Sequence, residues 1–169
     1  MAERRIGLIP NATTNARGAD DECAILATDR RLIVTFEKPQ IRFKQGLRNY
    51  FGKEADAPPI PPATVNYATV DLDQLGKMPQ NVVIPYFVVE KFALHMTLGV
   101  ASIDVKYRNE AGKSLTFTAI LVPSEPLIKK NKMEGIRRRD TIKKYGQKCQ
   151  ELFKRALPSS LSQNTEWMS

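Results

Sequence analysis

Between Val88 and Leu121 the chain alternates apolar and polar residues with a period of two, and beyond Thr141 the period changes to that of a helix. That switch restricts the fold more than any other feature, because a strand presents alternate residues to one face and a helix presents every third or fourth. Val88, Glu90, Phe92 and Leu94 alternate with Val89, Lys91, Ala93 and His95. Ile103, Val105 and Tyr107 stand against Asp104, Lys106 and Arg108. Leu115, Phe117 and Ala119 alternate with Thr116, Thr118 and Ile120, after a turn in which Gly112 can take a left-handed conformation. These runs read as half-buried antiparallel strands. Ile142, Tyr145, Cys149, Leu152, Phe153 and Ala156 instead fall within an arc of roughly 100° on a helix, with Asp140 as the expected N-cap and Pro158 as the stop.

Earlier in the chain, Cys23–Ala27 and Leu32–Phe36 are short apolar runs around Thr28-Asp29-Arg30-Arg31, which reads as a hairpin with Asp29 in the turn. The preceding residues suggest one short strand and a polar loop. NVVIPY is strand-like, with Pro85 at an edge, bend or end, and Val65, Tyr67 and Thr69 suggest a further strand. The fold class expected is α+β, mainly β: antiparallel strands first, with a C-terminal amphipathic helix covering the apolar face of the sheet. Residues 1–157 read as a single domain with a long insertion at about 37–80, and 158–169 as a flexible tail in which Trp167 has no evident dock.

Composition narrows the function classes. Apolar residues make up 42% of the chain, ordinary for a globular protein. The longest apolar run, Val82–Val89, contains a proline and is well short of the roughly 20 residues of a membrane span. Met-Ala-Glu-Arg-Arg leads into no signal-peptide core, so the expected location is cytoplasmic, with peripheral association at the inner membrane surface. Cys23 and Cys149, 126 positions apart, read as buried thiols rather than a disulfide scaffold.

Charge is segregated. Lys129–Arg155 holds eleven Lys or Arg against Glu134, Asp140 and Glu151, which accounts for the entire net charge of +8. Such asymmetry favours an anionic partner. The candidate anion- or lipid-binding residues are Lys129, Lys130, Arg137, Lys144, Lys148 and Arg155. A second group, Arg42, Lys44, Arg48 and Lys53, falls in a segment whose spacing predicts a short helix ended by Gly52, with Phe43, Leu47, Tyr50 and Phe51 on one side and Arg42, Lys44 and Arg48 on the other, a pattern suited either to a membrane interface or to the core.

Chemistry is harder to find. His95 stands alone on an alternating strand, the cysteines lie in no nucleophile signature, and Asp71 and Asp73 lack the other ligands of a calcium loop. No glycine-rich stretch cradles phosphate. No RNP-like strand, GXXG loop or zinc-finger spacing supports nucleic-acid binding, which ranks below a membrane or protein partner. The expectation is a non-enzyme with no cofactor and no metal.

The motif ILATDRRLIVTF resembles the first hairpin of GRAM and bacterial pleckstrin-homology-like domains. VVIPYFVVEKF resembles their Ile-Pro landmark, IDVKYRNEAGKSLTFTAIL their paired strands, and DTIKKYGQKCQELFKRAL occupies the place of their C-terminal helix. The resemblance covers about 22–157 and implies two bent antiparallel sheets forming a partly open barrel capped by that helix. It also implies a non-catalytic module that binds lipid headgroups or other proteins. The alternative is a protein-interaction or self-assembly module, a homo-oligomer joined through an open sheet edge. In lipid-binding relatives basic residues sit on a roomy first hairpin loop. Here Asp29-Arg30-Arg31 is tight and contains an acid, so Arg30 and Arg31 are expected to be mainly architectural.

Overall fold

The computed structural model describes residues 1–18, 21–36, 65–97, 100–123 and 132–168, with side chains omitted at 97 and 132–139. Seven strands form one antiparallel sheet: β1 (Arg5–Thr14), β2 (Asp21–Thr28), β3 (Arg31–Thr35), β4 (Val82–Pro85), β5 (Val89–Thr97), β6 (Val100–Arg108) and β7 (Ser114–Leu121). Among the described residues, three α-helices accompany it: α1 (Leu72–Lys77), α2 (Lys132–Ala156) and α3 (Ser159–Gln163).

The strand order β4-β3-β2-β1-β7-β6-β5 joins two meanders through β1. That strand pairs with β2 from Arg5 to Thr14 and with β7 over Ala12–Thr14. A register shift between Ile9 and Ala12 coincides with Pro10, which cannot donate to a ladder and is tolerated at such an irregularity. The short strand expected before the first hairpin is therefore a ten-residue bridge. It makes the β-structure one continuous open sheet, with β4 and β5 at its edges, where two sheets were expected.

Both meanders contribute to one core. Ile25, Val34 and Ile84 from the first join Phe92, Ile103, Val105 and Phe117 from the second, with Cys149, Phe153 and Ala156 of α2. For side chains so far apart in the strand order to share one cluster, the sheet must curl around it. Phe92 and Phe153 meet at 5.0 Å between ring centroids. In β7 the alternation read from the sequence is the alternation of burial: Phe117, Ala119 and Leu121 are buried, while Thr116, Thr118 and Ile120 face out. In β5 it is not: a register shift between Val89 and Lys91 leaves Glu90 exposed and packs Val89 on the core, and Ala93 is buried together with Phe92 and Leu94.

The first hairpin departs from alternation, since Leu32, Ile33, Val34 and Thr35 are all buried. A second cluster explains this. Leu72 and Leu75 of α1 pack on Leu26 and Ile33, covering the outer face of β2 and β3. Part of the expected insertion is thus a helix laid on the sheet. The strand expected around Tyr67 is a turn instead: Asn66 accepts the Ala68 amide with its side chain and those of Thr69 and Val70 with its carbonyl. Asp71 caps α1 by accepting the Gln74 amide at 2.8 Å. The aromatic and basic segment at 42–53 lies outside the described residues.

Two further expectations change. The long helix begins at Lys132, so Asp140 lies inside it rather than capping it. The residues expected to form a loose tail comprise α3 and a segment that pairs with β5 through a parallel bridge between Glu166 and Ala93. The tail carries Trp167 onto Phe92, at 6.2 Å between ring centroids, so an aromatic anchor offsets its otherwise polar composition.

Candidate functional site

The outer face of α2 carries the described part of the basic cluster. Ile142, Gly146, Cys149, Phe153 and Ala156 are buried, which fixes the rotation of the helix against the sheet. Burial of the Cys149 thiol pushes its pKa up to about 11. At 100° per residue, Lys144, Lys148 and Arg155 then fall within about 40° of one another, opposite the buried stripe. All three are exposed, as are Lys143 and Lys154. Asp140 and Glu151 are exposed on the same face and dilute its charge.

Among the described residues, no ion pair engages Lys143, Lys144, Lys148 or Arg155. Lys154 stands 5.5 Å from the Trp167 ring centroid. The unpaired ammonium groups remain hydrated and able to meet an anionic surface without first breaking a salt bridge. Of the ten basic residues singled out from the sequence, the structure brings Lys144, Lys148 and Arg155 together. Arg137 lies on α2 with its side chain undescribed, and Lys129, Lys130, Arg42, Lys44, Arg48 and Lys53 lie outside the described residues.

The arginine pair of the first hairpin is organised differently. The Thr28 hydroxyl oxygen accepts the amides of Arg30 and Arg31 at 3.1 and 3.0 Å, closing a tight turn. The Arg31 guanidinium donates to both carboxylate oxygens of Glu3, at 3.0 and 2.8 Å, and to Asp73 at 3.1 Å. Those hydrogen bonds hold its pKa above the usual arginine value. Arg30 donates to the Met1 carbonyl. Asp29 accepts the Arg4 amide at 3.0 Å, and that hydrogen bond lowers its carboxyl pKa. A pocket of about 520 Å³ beside this turn is lined by Glu3, Asp29 and Asp73 as well as the two arginines. A phosphate there would meet three carboxylates, so the arrangement suits a structural corner better than an anion site.

Sequence reasoning did not single out Phe87. It sits on the 3-10 turn Tyr86–Val88 beside that pocket and is 89% exposed, whereas its neighbour Tyr86 is buried and donates its hydroxyl to the Thr28 carbonyl at 2.9 Å. Its run of apolar neighbours concealed it, since a 3-10 turn reverses which side chain points out. His95 Nε2 lies 3.5 Å from Asp104 Oδ2 on the outer face of β5 and β6, away from either cysteine's buried setting. Cys23, like Cys149, is buried, and burial pushes its thiol up to about 12. Asp71 and Asp73 serve as the α1 cap and an Arg31 partner. No described helix is long and apolar enough to cross a membrane.

No family model and no curated protein matches the chain. Among solved structures, the hSac2 domain from human phosphoinositide phosphatase Sac2 is similar at 12% identity and a TM-score of 0.45, with 99% of this chain and 77% of that chain covered.

Proposed function

We propose that this chain is a non-catalytic binding module that engages an anionic membrane surface through the exposed face of α2, with Lys144, Lys148 and Arg155 at its described centre. The observation that carries the reading is the division of α2 into two faces. Its apolar residues close the core, while Lys143, Lys144 and Lys148 stand on the opposite side with no ion pair among the described residues. A lysine or arginine near an anionic bilayer contributes about 1 kcal/mol within a Debye length, and several acting together suffice for reversible attachment. Lys129, Lys130 and Arg137, contiguous in sequence with this face, belong to the same proposed surface, and Arg42, Lys44, Arg48 and Lys53 form a second basic element of it.

The proposal extends to architecture. The two meanders joined through β1, with α2 closing their shared core, are read in this proposal as a pleckstrin-homology-like fold. In this reading the curled sheet acts as a partly open barrel, and the module is cytoplasmic and peripheral at the inner membrane surface.

Co-sedimentation with phosphatidylserine-containing and purely phosphatidylcholine vesicles tests the proposal, at low and high salt and with duplex DNA as competitor. Binding to the anionic vesicles alone, lost with salt and resistant to DNA, is the expected result. No binding at low salt would leave α2 as a solvated lid over the core, and displacement by DNA would move the reading to nucleic acid.

A further inference from the structure

The C-terminal residues lie in a trough between β5 and α2, and each of three successive side chains meets a separate group. Glu166 pairs with Lys91 at 2.8 Å. Trp167 packs on Phe92 and under the Lys154 ammonium, with its indole N–H donating to the Ser162 carbonyl at 3.1 Å. Met168 donates its amide to Gln150 Oε1 at 2.9 Å, and its Sδ and Cε lie 3.2 and 3.1 Å from where a Cβ on Gly146 would stand. A glycine inside a 25-residue helix is unfavourable for the helix itself, and here it makes room for that methionine.

The hold on the backbone is slight by comparison. The Leu94 amide donates to the Glu166 carbonyl at 2.9 Å, and the Glu166 amide donates to the Phe92 carbonyl at 3.3 Å, forming a single isolated bridge. The α3 helix that leads to it has no buried residue. Lys91 and Glu166 are both more than half exposed, so their pair is weak. Phe92, on which Trp167 packs, belongs to the main core with Leu94, Cys149 and Phe153, and Trp167 and Met168 are only partly buried against that core. The trough floor is thus part of the core built by the sheet and α2, its contacts with the tail are specific to the side chains, and the tail is held by few backbone bonds.

We propose that the trough between β5 and α2 is a docking site for an extended protein segment carrying an acidic, an aromatic and an apolar residue in succession, with Glu166-Trp167-Met168 as its resident occupant. The incoming segment would add to the β5 edge as the tail does. The acidic residue would meet Lys91, the aromatic ring Phe92 and Lys154, and the apolar side chain the space over Gly146. Because the tail is tethered, a free segment competes against a high effective concentration and binds once the tail is weakened or displaced. This inference is independent of the membrane reading, since the trough does not include the Lys144 and Lys148 face.

The test uses the full chain and a fluorescein-labelled peptide of residues 162–169. Trp167→Ala in the chain is expected to raise peptide affinity at least tenfold over the unaltered chain. Trp167→Ala in the peptide is expected to abolish binding, and Lys91→Glu in the chain to weaken it severalfold. Absence of saturable binding to a Trp167→Ala chain that keeps a cooperative melting transition would overturn the proposal. Should that variant fail to fold, Glu166→Lys provides the weakened tail under the same criterion. Hydrogen exchange in the unaltered chain adds an independent reading. The Leu94 amide, covered by the tail, is expected to exchange at least ten times faster than that of Ile103 in β6, and equal protection would mean that the tail does not leave the trough, contradicting the proposal. A mass that doubles with concentration in the unaltered chain, and not in Trp167→Ala, would identify a second copy's tail as the occupant and support it.

Discussion

Arg31 and Lys144 carry the same formal charge in opposite circumstances. Arg31 is four-fifths buried and held by Glu3 and Asp73, so its charge is neutralised where it stands. Replacing it with Met would leave the largely buried Glu3 carboxylate without its cationic partner, with only the Thr28 hydroxyl, among the described residues, still donating to it, and denaturant unfolding is expected to show a loss of about 1–3 kcal/mol. Lys144 and Lys148 are solvated on the outer face of α2. Reversing both to Glu is expected to change the melting temperature by no more than about 2 °C, within the small range of ordinary surface substitutions. Cys149→Asp, on the opposite face of the same helix, places a carboxylate against Phe153 in the core and is expected to cost more than about 3 kcal/mol or abolish folding. Similar effects from the two changes in thermal melts would contradict the assigned rotation of α2.

The packing of α2 on β1 rests on a close approach at Gly7. A Cβ there would stand 2.5 Å from Leu152 Cδ1 and 2.8 Å from Cγ, so Leu152 must move if the position is filled. Gly7→Ala is expected to destabilise by about 1–3 kcal/mol, as overpacking commonly does. The cost should shrink in a Leu152→Ala background, and a double-mutant cycle by chemical denaturation measures the coupling. The two buried stripes that meet here differ in how visible they are from sequence. The α2 stripe was legible because Ile142, Cys149, Phe153 and Ala156 repeat at helical spacing, and β6 and β7 because their partners alternate. The continuity of β1 was not, because Pro10 and the polar residues after it look like a loop unless the partners β2 and β7 are known. Nor was α1 legible as the cover of the hairpin's outer face, because Ile33 is a single apolar residue on that face and nothing in its local spacing points to Leu72 and Leu75. The outward lysines were the part of the site that periodicity revealed, since fixing one face of a helix fixes the other. The Glu166-Trp167-Met168 contacts depend on a chain reversal at Pro158 that no local spacing encodes.

For the molecule as a whole, buried thiols and phenols limit stability at high pH and paired carboxylates limit it at low pH. Burial raises the pKa of Cys23 to about 12 and of Cys149 to about 11, from 9.0, and raises those of Tyr86 and Tyr145 as well. The folded state thus holds these protons more tightly than the unfolded chain. Their contribution is complete below about pH 9 and is lost as pH climbs through the folded values. At the acid end the Arg4 amide lowers the pKa of Asp29 and Lys91 lowers that of Glu166, so their small exposed contributions are present above about pH 4 and vanish below it. Melting temperature is therefore expected to be nearly level from about pH 5 to 9 and to fall on both sides, and a continued rise beyond pH 10 would contradict the burial of these groups. Within that plateau the exposed lysines stay charged, and binding to an anionic surface should respond to salt far more than to pH. The most direct measurement is co-sedimentation of the unaltered chain and the Lys144→Glu, Lys148→Glu double variant with phosphatidylserine-containing vesicles at low salt. At about 1 kcal/mol per basic residue, removal of the two charges weakens partitioning by about 30-fold, and their reversal by more. Unchanged partitioning of a folded double variant would show that the outer face of α2 is not the membrane-binding surface.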